Sequence, residues 1–287
     1  MGWRPVVSAI GRVFMAAGTL MLLFVAYQLW GTGLAESRSQ TTLKQDFKEL
    51  QVEAPKGPDE FAPPMPTGTA IAIIKIPRTG TEKTVVQGVG VDDLKKAPGH
   101  YPNTPMPGQP GNAAIAGHRT TYGAPFYNLD ELQPNDPILV TTLQGSFRYE
   151  VIETTIVKPS QVEVLDNTED NRLTLTTCHP RFSASQRMVV TAKLVGEAAQ
   201  APAVDPTPPK AEAPPVFEDE AGLSGGTAAR GPAVLAGIAF AGVWLVAYMI
   251  RRAVGHKWVV WPVALVPMAI TLFVFFENFA RLLPANV

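Results

Sequence analysis

Three uncharged apolar runs constrain this chain more than any other feature, because each is long enough to cross a hydrocarbon core about 30 Å thick. They are Val13 to Trp30, Ala233 to Ile250 and Trp258 to Phe276. For the last two, a hairpin buried in a soluble core is the alternative, but both match the spanning length of about 20 residues. For the first, a cleaved signal peptide competes, since Gly33 and Ala35 form a small-x-small pattern. The run exceeds the usual signal-peptide apolar region of about 7 to 15 residues, which favours a retained anchor. Pro262 and Pro267 lie in the third run, where a membrane helix tolerates proline and a kink is expected.

Charge sets the expected topology. Arg4 and Arg12 precede the first run, and Arg251, Arg252, His256 and Lys257 separate the second from the third. Retained Lys and Arg mark the cytoplasmic side, and three crossings place both basic clusters there. The chain is therefore expected in the plasma membrane as a multi-pass protein, with the lipid bilayer as a partner and its central domain extracytoplasmic. Its 24 basic and 25 acidic residues leave a formal charge of -1, so no broad electropositive surface argues for nucleic acid.

The expected organisation is a cytoplasmic start and anchor at 1–32, a stalk at 33–68, a domain at 69–197, a linker at 198–230, a membrane hairpin at 231–278 and a tail at 279–287. Glu53 to Gly68 carries five prolines, and Ala198 to Val216 is rich in Ala and Pro, so both are expected extended and unpacked. The ordered part, from Thr69 to Val195, is about 125 residues, a usual single-domain size.

Inside that domain, short β-rich runs alternate with turn signals. They are Ala70–Ile76, Lys83–Val89, Asn112–His118, Pro137–Leu143, Ser146–Val157, Arg172–Cys178 and Arg187–Val195. Regular strand spacing predicts an all-β fold, a barrel or a sandwich, and periodicity alone does not choose between them.

The single cysteine, Cys178, excludes an intramolecular disulfide and any multi-cysteine metal cluster. It is a buried apolar thiol or a reactive one. It ends the strand-like RLTLTTC, and His179-Pro180 starts a loop. A nucleophilic thiol needs a proton-exchanging partner, and topology removes His256. His179, its neighbour, projects to the opposite face of an extended strand. His100 or His118 must come across in space, and His118 ends its own strand after Gly117. Of the two arginines beyond the cysteine, Arg181 and Arg187, the second opens the strand RMVVTAKLV. Hairpin logic lays that strand beside RLTLTTC, within reach of an oxyanion at the thiol. Zinc held by Cys178, His179 and His118 lacks a supporting carboxylate or second cysteine, so no metal and no cofactor is expected.

These segments resemble a known family. TLTTC at Thr174 to Cys178 resembles the sortase TLxTC signature, with an arginine nine residues later, and AGHRTTYGAPF at Ala116 to Phe126 is similar to the sortase histidine segment, 60 residues before the cysteine. PGHYPNT and CHPRFSASQR are most similar to class E sortases of actinobacteria. The resemblance covers about Ala70 to Val195 and implies an eight-stranded β-barrel.

It also implies a cysteine transpeptidase that works by two acyl transfers. Cys178 would be the nucleophile at the Thr-Gly bond of a C-terminal sorting signal, His118 the general acid and base, and Arg187 the stabiliser of substrate and oxyanion. The partners implied are secreted proteins carrying an LAxTG-like or LPxTG-like signal and an amine on a cell-wall peptidoglycan precursor. Tyr101 and Thr177 are the substrate-binding candidates. A cysteine hydrolase with the same site, or a non-catalytic peptide-binding scaffold, are the other readings. Ordinary side-chain values, ~8.5 for a thiol and ~6.5 for an imidazole, put both charges on about one molecule in a hundred at pH ~7.5.

Overall fold

The computed structural model describes residues 3–53, 65–199, 230–253 and 257–280. The chain divides into two compact units, one holding the apolar helices and the other the β domain. In the first unit, α1 (Trp3–Ala26) is followed by a π-helical stretch, Tyr27–Gly31. The chain returns to this unit with α4 (Arg230–Ala253) and α5 (Lys257–Ala280). Among the described residues, three helices are long and apolar enough to cross a membrane. Phe24 meets Phe276 edge-on at 5.2 Å between ring centroids, and Tyr27 meets Phe273 at 5.3 Å. Pro262 and Pro267 both lie within α5.

The second unit is a closed barrel of eight strands. These are β1 (Ala70–Ile76), β2 (Thr81–Gln87), β3 (Gly99–His100), β4 (Asn112–Ala116), β5 (Pro137–Thr142), β6 (Gly145–Val157), β7 (Arg172–His179) and β8 (Gln186–Val195). Around the barrel they run β1-β2-β3-β4-β7-β8-β6-β5, and β5 closes on β1. Full closure leaves no sheet edge unpaired, which decides between barrel and sandwich. A short helix, α3 (Val91–Leu94), lies between β2 and β3.

Alternation along the strands separates two faces, because successive side chains point to opposite sides of a pleated sheet. Ile74, Ile76, Ala113, Ile115, Ile138, Val140, Leu173, Leu175, Val190 and Ala192 fill the interior. The residues between them on β4 and β7 face outward. Ala114, Ala116 and Cys178 join Val89, Leu94 and Tyr101 in a second apolar cluster, against which Leu165 and Ala184 pack.

Of the segment expected as a stalk, residues 33–53 lie in a helix, α2 (Thr32–Glu53), which belongs to the barrel unit. Leu43 and Phe47, four residues apart and so on one helix face, are buried with Ala70, Val86 and Ala97. Gln40 exchanges two hydrogen bonds with the Thr84 backbone, at 3.0 and 2.7 Å. Positions 54–64, most of the linker after Ala198, the tail after Ala280 and His256 lie outside the described residues.

Candidate active site

Strand β4 runs parallel to β7, with Ala114 beside Thr174 and Ala116 beside Thr176. Gly117 continues that register, donating its N–H to the Thr176 carbonyl at 3.0 Å while its own carbonyl accepts from Thr177 Oγ1 at 2.7 Å. The next step along both strands sets His118 alongside Cys178. On the other side β8 runs antiparallel to β7, and Cys178 is paired directly with Arg187. The three residues therefore occupy one row across β4, β7 and β8, at the strand ends. Local sequence makes this possible, since proline at 180 ends β7 and the turn-rich RTTYGAP ends the β4 segment.

All three side chains are nearly inaccessible: Cys178 is 0% exposed, His118 1% and Arg187 4%. Burial, with Lys95 as a lesser cause, pulls the His118 pKa down to about 3, so its imidazole is neutral at physiological pH. Its Nδ1 is buried with no hydrogen-bond partner among the described residues. The Tyr122 ring lies beside it, 5.0 Å between centroids and tilted by 35°. Arg187 Nη1 donates to the carbonyls of Ala184 at 3.0 Å and Gln186 at 3.2 Å, so the β7–β8 loop holds the guanidinium.

The rival residues are engaged elsewhere. His100 Nε2 donates to the Pro105 carbonyl at 2.8 Å, and its Nδ1 sits 2.8 Å from the Gln87 side-chain amide. Burial lowers its pKa to about 4. Arg181 pairs with Asp130 at 2.9 Å and stacks over the Tyr127 ring at 4.3 Å.

Of the two substrate-binding candidates, Tyr101 lies on the face that carries Cys178. Its hydroxyl is 3.0 Å from Thr176 Oγ1, two residues along β7 from the thiol. Thr177 does not share that face. It is paired with the inward-facing Met188, is fully buried, and its hydroxyl is bonded to the Gly117 carbonyl. The pleat turns its side chain to the face opposite that of Cys178, where the hydroxyl braces the two strand ends.

One residue of the site escaped the sequence reading. Arg119 is 1% exposed and donates from Nε to the Tyr127 carbonyl at 3.0 Å and from Nη1 to the Cys178 carbonyl at 3.3 Å. Nη2 pairs with Asp130 at 2.9 Å. Arg119 thus ties the backbone after His118 to the backbone of the cysteine. The only sequence signal was its place next to the histidine, because a surface charge and a buried strut look alike in a one-dimensional pattern.

Residues 74–195 match the model of the sortase domain. Sortase SrtE1 of Streptomyces coelicolor is 33% identical over 205 residues, covering 66% of this chain and 57% of that protein. The chain therefore spans little more than half the length of that relative. Sortase D of Bacillus subtilis is 29% identical over 201 residues, covering 66% of this chain and 98% of its own length. Among solved structures, a sortase D5 transpeptidase of Clostridium perfringens is 32% identical with a TM-score of 0.47, over 56% of this chain and 99% of that one. With a sortase domain at residues 74–195 and sortases among its relatives, this chain belongs to the sortase family.

Proposed function

We propose that this chain is a membrane-anchored sortase that cleaves a C-terminal sorting signal between Thr and Gly and passes the acyl group to a cell-wall amine. The observation that carries the reading is the row of His118, Cys178 and Arg187 across three neighbouring strands. Cys178 Sγ attacks the threonine carbonyl and His118 accepts the thiol proton. His118 then returns that proton to the departing glycine amine as the tetrahedral intermediate collapses to a thioester. An amine next attacks the thioester, loses its proton to His118, and Cys178 leaves as the thiol. Arg187 stabilises the negative oxygen formed in each half-reaction.

The depressed pKa of His118 favours the neutral thiol–imidazole pair as the resting state. It makes the doubly charged form rarer than ordinary side-chain values imply. Cys178 is buried in a cluster with Leu94 and Tyr101, so part of that cluster must move aside for a peptide to reach the thiol. Tyr101 is the residue proposed to select alanine over proline at the second position of the signal, from its place beside Thr176 on the nucleophile's face.

Arg4, Arg12, Arg251, Arg252 and Lys257 support a cytoplasmic start and a cytoplasmic turn between the last two spans, with the barrel outside. The test is product analysis by mass spectrometry, with LAxTG-like and LPxTG-like peptides and an added amine. The expected product is a new amide at threonine, formed faster from the alanine peptide. A free acid in the presence of amine would favour the hydrolase, and no cleavage at all would favour a binding scaffold.

A further inference from the structure

Helix α2 is built into the barrel beside the catalytic row. Thr32 and Glu36, one turn apart at its start, are 1% and 2% exposed. Thr32 Oγ1 accepts the backbone N–H of Tyr122 at 3.2 Å. Glu36 pairs with Lys83 on β2 at 2.5 Å and lies so close to Gly123 that a Cβ there would collide with its carboxylate. Burial raises the Glu36 pKa, and the Lys83 bond opposes that shift.

The turn they contact follows His118 directly and is strained. Tyr122 has φ 50° and Ala124 φ 41°, left-handed values that side chains bearing a Cβ seldom adopt, and Gly123 has φ 72°. Such a conformation persists only when its surroundings over-determine it. The turn's own bonds run from Ala124 N to the Thr121 carbonyl and from Phe126 N to the His118 carbonyl. The contacts with Thr32 and Glu36 come from outside the turn. The imidazole, for its part, has no hydrogen bond at Nδ1 among the described residues, and the Tyr122 ring packs against it.

We propose that Tyr122 is a positioning residue for His118, and that α2 holds it in place through Thr32 and Glu36. The helix that follows the first apolar run is then part of the active site rather than a passive stalk. This inference rests on the reading of His118 as the proton-transfer group.

The test uses the full chain in detergent. Cys178 is the single thiol, so its alkylation by iodoacetamide against pH reports its coupling to the imidazole without needing a known substrate. His118→Ala sets the profile of the uncoupled thiol. Tyr122→Ala is expected to move the profile toward that of His118→Ala and to lower kcat for peptide cleavage about tenfold, with KM changed less. Tyr122→Phe is expected to restore both. Thr32→Val, which removes only the hydroxyl from the turn, is expected to act in the same direction and more weakly.

Parent-like profiles in both Tyr122→Ala and Thr32→Val would overturn the proposal, and so would losses of kcat that merely follow the melting temperature. If the parent and His118→Ala share one profile, the assignment of His118 itself fails. That outcome is distinct from one in which only Tyr122 proves inert.

Discussion

Cys178 and Arg187 are directly paired residues of the β7–β8 ladder, so the proposed nucleophile and the cation proposed to serve it are held by strand pairing rather than by a flexible loop. Nine residues separate them along the chain. The loop between them also supplies the carbonyls that orient the guanidinium, at Ala184 and Gln186.

That geometry predicts what Arg187 contributes. Arg187→Ala is expected to lower kcat about 10²- to 10³-fold, the usual cost of losing an oxyanion donor. Arg187→Lys keeps the charge but not the planar fork, and is expected to recover only a small part of the loss. Steady-state kinetics with a sorting peptide, read beside melting curves, check this.

Arg119 should matter for both stability and rate. Arg119→Met keeps the length of the stem but leaves the carbonyls of Cys178 and Tyr127 without this donor. The expected destabilisation is about 2 kcal/mol, less than the ~3–5 for breaking a fully buried pair. Asp130 is 40% exposed and keeps Arg181, which limits the penalty. Urea unfolding of the parent and the variant measures it.

Gly117 carries a steric prediction. A Cβ at this position would lie 2.6 Å from Cδ2 of Phe126, on a ring that is fully buried in the core. Gly117→Ala is expected to cost about 1–3 kcal/mol through overpacking. It is also expected to displace His118, since the bonds to Thr176 and Thr177 that keep the strand ends in register pass through Gly117. Melting temperature and kcat should therefore fall together.

The two buried histidines predict acid sensitivity. His100 and His118 have folded-state pKa values near 4 and 3, below the ordinary value near 6.5. Between those limits the unfolded chain binds more protons than the folded one, so stability is fully present above about pH 6.5 and falls as the pH drops toward 4 and 3. Each histidine contributes a slope of at most about 1.4 kcal/mol per pH unit. Urea midpoints from pH 7 to pH 4 should decline, and less steeply in His118→Asn.

Much of the barrel was legible because its strands are regular. The alternation in PILVTT and the apolar run AIAIIKI mark β5 and β1 without any partner in view. β3 was not legible, since the two residues Gly99 and His100 are too few to show a period. The docking of α2 was hidden for another reason. Leu43 and Phe47 are its main apolar contacts, and the roles of Thr32 and Glu36 arise only when a distant turn comes beside them.

The site divides in the same way. TLTTC and the following arginine read as a hairpin, and the ladder pairs them. The approach of His118 depends on β4 and β7 running parallel, a long-range pairing that no local pattern encodes. Thr177, a substrate-binding candidate through the family resemblance, has its side chain turned inward by the pleat, where it holds Gly117.

The most direct measurement is the intact mass of the full chain during incubation with an LAxTG-like peptide. An acyl adduct on Cys178 is expected, released by hydroxylamine, absent in Cys178→Ala and slow to form in His118→Ala and Arg187→Ala. Cleavage of the peptide by Cys178→Ala at the parent rate, or an adduct at any other residue, would contradict the account.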